Sequence, residues 1–148
     1  MKKHIGIMLP LFMAFILAAG CSGGENSSGS SRGDYIDLTV LSSTVLSAEI
    51  NNIMTNPGSY IGKTIRVRGS YSVTFDQQAG GYLHFVITKD GDECCREGFE
   101  FILAGDHVFP DGYPEIGAGI EVAGVFERYS ENGLTYYRLA DGELSVLY

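Results

Sequence analysis

"TIRVRGSYSVTF", residues 64 to 75, decides the fold: Ile65, Val67, Gly69, Tyr71, Val73 and Phe75 alternate with Thr64, Arg66, Arg68, Ser70, Ser72 and Thr74. Successive side chains of a strand point to opposite faces, so a period of two over this length predicts one long strand with one face buried. Gly69 breaks the apolar row from within, and a glycine in that position predicts a bulge or a sharp bend.

Just upstream, in "SSTVLSAEINNIMTNPG", Leu46, Ile50, Ile53 and Met54 share a helical face, with Ser42 or Ser43 as the cap and Pro57 with Gly58 as the stop. Downstream, "QQAGG" supplies a loop, "YLHFVITK" a second strand, and "FEFIL" a short third strand with Phe99, Phe101 and Leu103 on one side. The stretch "AGDHVFPDGYPEIG" holds Pro110, Pro114, Gly105, Gly112 and Gly117 and reads as an irregular connection. "GIEVAGVFERY" alternates again through Ile120, Val122, Gly124 and Phe126. "ENG" at 131 to 133 is a tight hairpin signal, because Asn-Gly tolerates the positive φ angles of a type I′ turn. "LTYYRLAD" closes that hairpin and "ELSVLY" adds a last edge strand. The expected class is mainly β: a small five- to six-stranded barrel preceded by one helix.

The run "NPGSYIGKTIRVRGSY" resembles the start of bacterial OB-fold domains, where an Asn-Pro and a Tyr-x-Gly-Lys turn lead from a helix into a long, glycine-containing first strand. The resemblance implies an OB-fold-like barrel.

The chain before this domain is of another kind. "MKKHIGIMLPLFMAFILAAGC" has a basic start at Lys2 and Lys3, an apolar run from Ile5 to Ala19 and small residues before Cys21, the pattern of an export signal. The run falls short of the roughly 20 residues a membrane-spanning helix needs. "LAAGC" resembles the lipobox of bacterial lipoproteins, which implies that Cys21 is the lipidated residue; ordinary cleavage with Cys21 left as a free thiol is the alternative. Residues 22 to 33 are rich in Ser and Gly and read as a flexible tether. The expected organisation is therefore a signal over 1–20, a lipidated Cys21 and tether over 21–33, and one folded domain over 34–148. Its expected address is the bacterial cell membrane, lipid-anchored and facing outside the cytoplasm.

Without residues 1–20 the chain keeps 8 basic against 18 acidic residues, a formal charge of −10. That surface repels phosphate backbones, so nucleic acid is not an expected partner.

One stretch invites chemistry: "DGDECCREGFEF", residues 90 to 101. With His84 on the strand before it, the Cys-Cys-x-x-Gly-x-Glu-Phe run looks like a segment of uncharacterised exported bacterial proteins and, more distantly, of the outer domain of permease-linked membrane proteins. That resemblance implies an extracytoplasmic module with a site at His84, Cys94 and Cys95 and names no reaction. On residue chemistry alone three readings stand. Cys94 and Cys95 bond to each other, in a strained ring, because adjacent α-carbons lie about 3.8 Å apart and disulfides prefer roughly 4.4 to 6.8 Å. Or both are thiolate ligands of Zn or Cu, with His84 as the nitrogen ligand and a carboxylate such as Glu97 or Glu100 able to complete the set. Or they are two small thiols that only pack.

Other residues carry less. "DGDE" reads as a turn with solvated acids, and His107 as a packed loop histidine. Asp111, Tyr113, Tyr129, Tyr136 and Tyr137 line a groove or form a half-buried barrel wall, the wall being the plainer reading. Glu100 and Glu121 make a carboxylate pair only if neighbouring strands align them. No Ser-His-Asp order, phosphate-binding glycine loop or metalloprotease helix occurs, so no enzyme is expected. The leading expectation is a lipid-anchored binding module that captures or senses a soft metal at His84, Cys94 and Cys95. The alternative is a module for contact with a protein or the cell wall, with a structural or redox-active cysteine pair.

Overall fold

The structure, a computed structural model, describes residues 34–89 and 96–148. Among these described residues the fold is mainly β, with six strands in one sheet and one α-helix. In chain order these are β1 (Tyr35–Asp37), α1 (Ser43–Thr55), β2 (Thr64–Asp76), β3 (Gly81–Lys89), β4 (Glu97–Leu103), β5 (Gly119–Glu131) and β6 (Leu134–Val146). The short parallel strand β1, which has no alternation to announce it, pairs with the first three residues of β2, with Tyr35 opposite Thr64 and Asp37 opposite Arg66.

The long alternating segment forms β2 and serves two neighbours. Thr64 to Ser70 pair with β5, and Ser70 to Asp76 pair with β3. Gly69 stands where one partner hands over to the other. Both registers run through without a shift, so the residue is not the bulge the sequence predicts. It permits a close approach instead, since a Cβ there would collide with the carbonyl oxygen of Ile87.

α1 takes the predicted face to the core: Ile50 and Ile53 are buried, Leu46 packs at the edge, and Met54 is left 38% exposed. Ser42 sits in an extended N-cap conformation without a side-chain cap bond. After the helix, a 3-10 turn over Pro57–Ser59 leads to Tyr60. Its hydroxyl donates to Glu49 at 3.0 Å and accepts from Asn52 Nδ2 at 2.6 Å, pinning the connection back onto the helix.

β5 and β6 form the hairpin that "ENG" predicts, with Asn132 at φ 50° and Gly133 at φ 78°. The last segment differs from expectation. "ELSV" is not a separate edge strand, because β6 runs unbroken from Leu134 to Val146 and takes β5 on one side and β4, in parallel, on the other. An irregularity carries it across: Asp141 adopts φ 50°, and the register to β5 shifts between Ala123 and Val125. Glycine is needed at 142, where a Cβ would stand 2.9 Å from the Ile102 carbonyl oxygen.

The core lies between these elements. Ile65, Val67, Tyr71, Val86, Phe99, Phe101, Ile120, Val122, Phe126 and Leu139 are all buried, each at an inward position of the alternation. Full burial of one such side chain is worth about 1.5–3 kcal/mol, so the inward rows fix the registers. Residues 104–117 form neither helix nor strand, as expected. Gly117 donates to the Tyr71 carbonyl at 2.8 Å and Tyr71 to the Ala118 carbonyl at 2.9 Å, which holds this connection against β2. No helix among the described residues is long and apolar enough to cross a membrane.

Candidate functional site

The alternation of β3 turns His84 and Val86 inward, and His84 lies opposite Val73 of β2 and Phe101 of β4. His84 is only 6% exposed. Its Nδ1 is 2.7 Å from the Tyr71 hydroxyl, and its ring stacks on Tyr113 from the 104–117 connection, with centroids 3.9 Å apart and planes 10° from parallel. Phe101 and Phe109 close the sides at 6.2 and 5.8 Å. Burial without a carboxylate neighbour pushes the imidazole below the usual histidine range. Burial likewise lifts the Tyr71 phenol to about 12 and raises that of Tyr113, so the whole stack is uncharged at neutral pH.

The inward rows of β2 and β3 outrun the core. Their last facing pair, Phe75 and Tyr82, is 51% and 49% exposed. The two rings meet edge to face at 5.1 Å, and Tyr82 continues to Phe109 at 4.6 Å. A run of rings thus leads from the buried His84, through Phe109, to the surface. Sequence reasoning missed it. The signal was present, because a hairpin closed by "QQAGG" sets Phe75 opposite Tyr82.

Cys21, Cys94 and Cys95 lie outside the described residues. His84, the described member of the proposed metal set, is five residues short of Lys89, the last residue of β3, or about 16 Å along the strand. Among the described residues no group of three or more His, Cys, Asp or Glu side chains is placed to hold a metal ion. One orphan is found at the other side of the cysteine segment: Glu97 Oε2 is buried and has no hydrogen-bond partner. Glu97 adjoins a hollow of about 210 Å³ shared with Ile50, Met54 and Arg96.

Glu100 and Glu121 do not form a carboxylate pair, because β4 and β5 are not neighbours in the sheet. Glu121 sits between Arg66, at 2.5 Å, and Arg68, at 2.6 Å, and the bond from Arg66 lowers its pKa most. Glu100 accepts from the Tyr129 hydroxyl at 2.5 Å. Burial raises its pKa, against the lowering effect of that bond and of Arg138, whose guanidinium covers the Tyr129 ring at 4.4 Å. A wider cleft of about 460 Å³ lies between Tyr35, Arg66, Glu121, Asp141 and Glu143. Its arginine is already engaged by Glu121 and by Asp37 at 3.5 Å, so it has no free cation to offer an anion.

The remaining predicted residues scatter. His107 is exposed, with Nε2 3.0 Å from the Ala104 carbonyl oxygen and its ring edge-on to Tyr113 at 6.3 Å. Tyr137 stacks on buried Phe126 at 5.6 Å and is wall, as expected. Tyr129 and Tyr136 stack on each other at 5.4 Å, with Tyr136 40% exposed. Asp111 is exposed and Tyr113 belongs to the His84 stack. Comparison with protein-family models, with curated proteins and with solved structures yields no match to this chain.

Proposed function

We propose that this chain is a lipid-anchored, extracytoplasmic binding module with an OB-like barrel, which holds another molecule at the aromatic end of its sheet and performs no catalysis. Support for the barrel comes from the pairings, which pass from β2 through β3, β4, β6 and β5 and return to β2. A ring of pairings with a long first strand shared by two partners is consistent with a five-stranded Greek-key barrel. The observation that carries the binding role is the facing pair Phe75 and Tyr82, left half exposed on the inward row. Two large rings there are an apolar surface that no described residue covers, and exposed apolar surface is a common mark of an interaction site.

The test separates contact from fold. A Phe75→Ser, Tyr82→Ser double variant should melt within about 3 °C of the parent if the rings serve a partner. A fall of about 10 °C or more would make them part of the core and remove the basis of this reading. Anchoring is checked apart from it: Cys21→Ala should move the protein into the soluble fraction of the cell, and retention on the membrane would sink the lipid anchor.

A soft-metal site is the second reading. It is favoured by the buried, unpartnered Oε2 of Glu97, two residues beyond Cys95, since a buried carboxylate oxygen calls for a partner, a role that a water or a cation fills. Cys94, Cys95 and Glu97 would then hold Zn or Cu, which would deprotonate the thiols. His84 is neutral, the form a metal needs, although its Nδ1 is taken by Tyr71.

A further inference from the structure

We infer that the aromatic end of the sheet docks a basic polypeptide segment, one that carries lysines or arginines among apolar residues. The inference rests on the binding-module reading and adds the chemistry of the occupant. The surface is built rather than incidental. Phe75 and Tyr82 project from paired strands, and Phe109 is seated against Tyr82 at 4.6 Å, His84 at 5.8 Å and Tyr113 at 6.2 Å. Because the platform is tied to buried rings, ordering it on contact costs little conformational entropy. Val108, 75% exposed, widens the apolar area beside Phe109.

Charge selects among occupants. The segments that carry and flank these rings, Gly69 to Thr88 and Glu97 to Glu127, contain no lysine or arginine, but they do contain Asp76, Asp106, Asp111 and Glu115. The basic residues of the adjoining hairpin are Arg128 and Arg138, and Arg138 is held by Glu127 at 2.7 Å. With Asp76 next to Phe75 and Asp111 two residues from Phe109 in the chain, a cation at the half-exposed rings is attracted by carboxylates of the same segments and by the negative faces of the rings. A second copy of this chain, with a formal charge of −10 without residues 1–20, would be repelled, as would a membrane rich in anionic lipid. A basic segment with apolar residues satisfies both parts of the surface: its cations meet the carboxylates and its side chains cover Phe75 and Tyr82.

The experiment uses the full chain in detergent micelles and three fluorescent octapeptides: alternating Lys-Phe, alternating Glu-Phe and alternating Lys-Gly. Binding is read by anisotropy at low and high salt. The Lys-Phe peptide should bind at least tenfold more tightly than either of the others and lose at least tenfold affinity to Tyr82→Ser or Phe75→Ser. It should lose about fivefold to Asp106→Asn with Asp111→Asn, a surface change that leaves the rings in place. Equal affinity for Lys-Phe and Lys-Gly would show attraction by charge alone and overturn the proposal. So would Lys-Phe binding that ignores both ring variants, or ring-dependent binding of maltohexaose or of a second copy with no ring-dependent peptide binding. If the double variant stays folded while no peptide binds, the occupant is wrong and the binding-module reading survives; if it melts early, that reading falls with it.

Discussion

The hydroxyl of Tyr71 and Nδ1 of His84 lie 2.7 Å apart inside the protein, on strands whose registers make them diagonal neighbours rather than facing partners. Neither group has a charged neighbour in the stack: Tyr71, Tyr113, Phe101 and Phe109 are the rings that surround the imidazole. The bond satisfies two polar groups that would otherwise be buried alone, each at a cost of about 1–3 kcal/mol.

His84 should therefore make stability depend on pH. Its folded pKa is lowered, so the unfolded chain binds the proton first as pH falls. The contribution is fully present above the unfolded value of about 6.5 and is lost as pH falls below it toward the folded pKa. Melting curves from pH 8 to pH 5 should show a steeper loss for the parent than for His84→Phe. That variant should be about 1–3 kcal/mol less stable at pH 8, because Tyr71 loses its partner. Parallel slopes would mean that the imidazole is not buried neutral.

Tyr129 and Glu100 form a second, half-buried pair, and here the sign is reversed. Burial raises the Glu100 pKa, while the bond from Tyr129 works against that shift. A raised carboxylate pKa contributes stability below the unfolded value of about 4.3 that is lost as pH rises through the folded value. Tyr129→Phe removes the donor, so carbon-detected titration should find Glu100 higher still in that variant; an unchanged or lower value would show that the hydroxyl does not serve the carboxylate.

Gly69→Ala should cost about 3 kcal/mol in chemical denaturation, because the added Cβ meets the Ile87 carbonyl, a backbone atom of the paired strand that cannot swing aside. Gly58→Ala is the control, with open space around the new methyl and an expected change within about 0.5 kcal/mol. Equal effects at the two sites would mean that β2 and β3 do not approach as described.

The soft-metal reading makes its own prediction. Native mass spectrometry of the full chain, purified without a chelator, should find one Zn or Cu ion that is lost in Cys94→Ser, Cys95→Ser and Glu97→Gln. A metal-free mass two hydrogens light points instead to a bond between the two cysteines and removes that reading.

The long strand, the helix ahead of it, the Asn-Gly hairpin and the irregular 104–117 connection were legible in the sequence, because each rests on a local rule. Alternation of period two buries one face, helical spacing buries one stripe, and Asn132 with Gly133 tolerates positive φ. Phe99, Phe101, Ile120, Val122 and Phe126 could be assigned to the core for the same reason. Only the tertiary structure decided what those rules leave open. Gly69 is a point of close approach rather than a bulge because β2 changes partners there. β6 is continuous because its neighbours on both sides supply hydrogen bonds past Asp141. Glu121 met two arginines, and Glu100 a tyrosine, because strand order rather than sequence distance chooses neighbours. His84 was visible from the start as a histidine on a strand, but its stack depends on the β2–β3 pairing for Tyr71 and on a distant connection for Tyr113. Non-local packing of that kind leaves no local period to read.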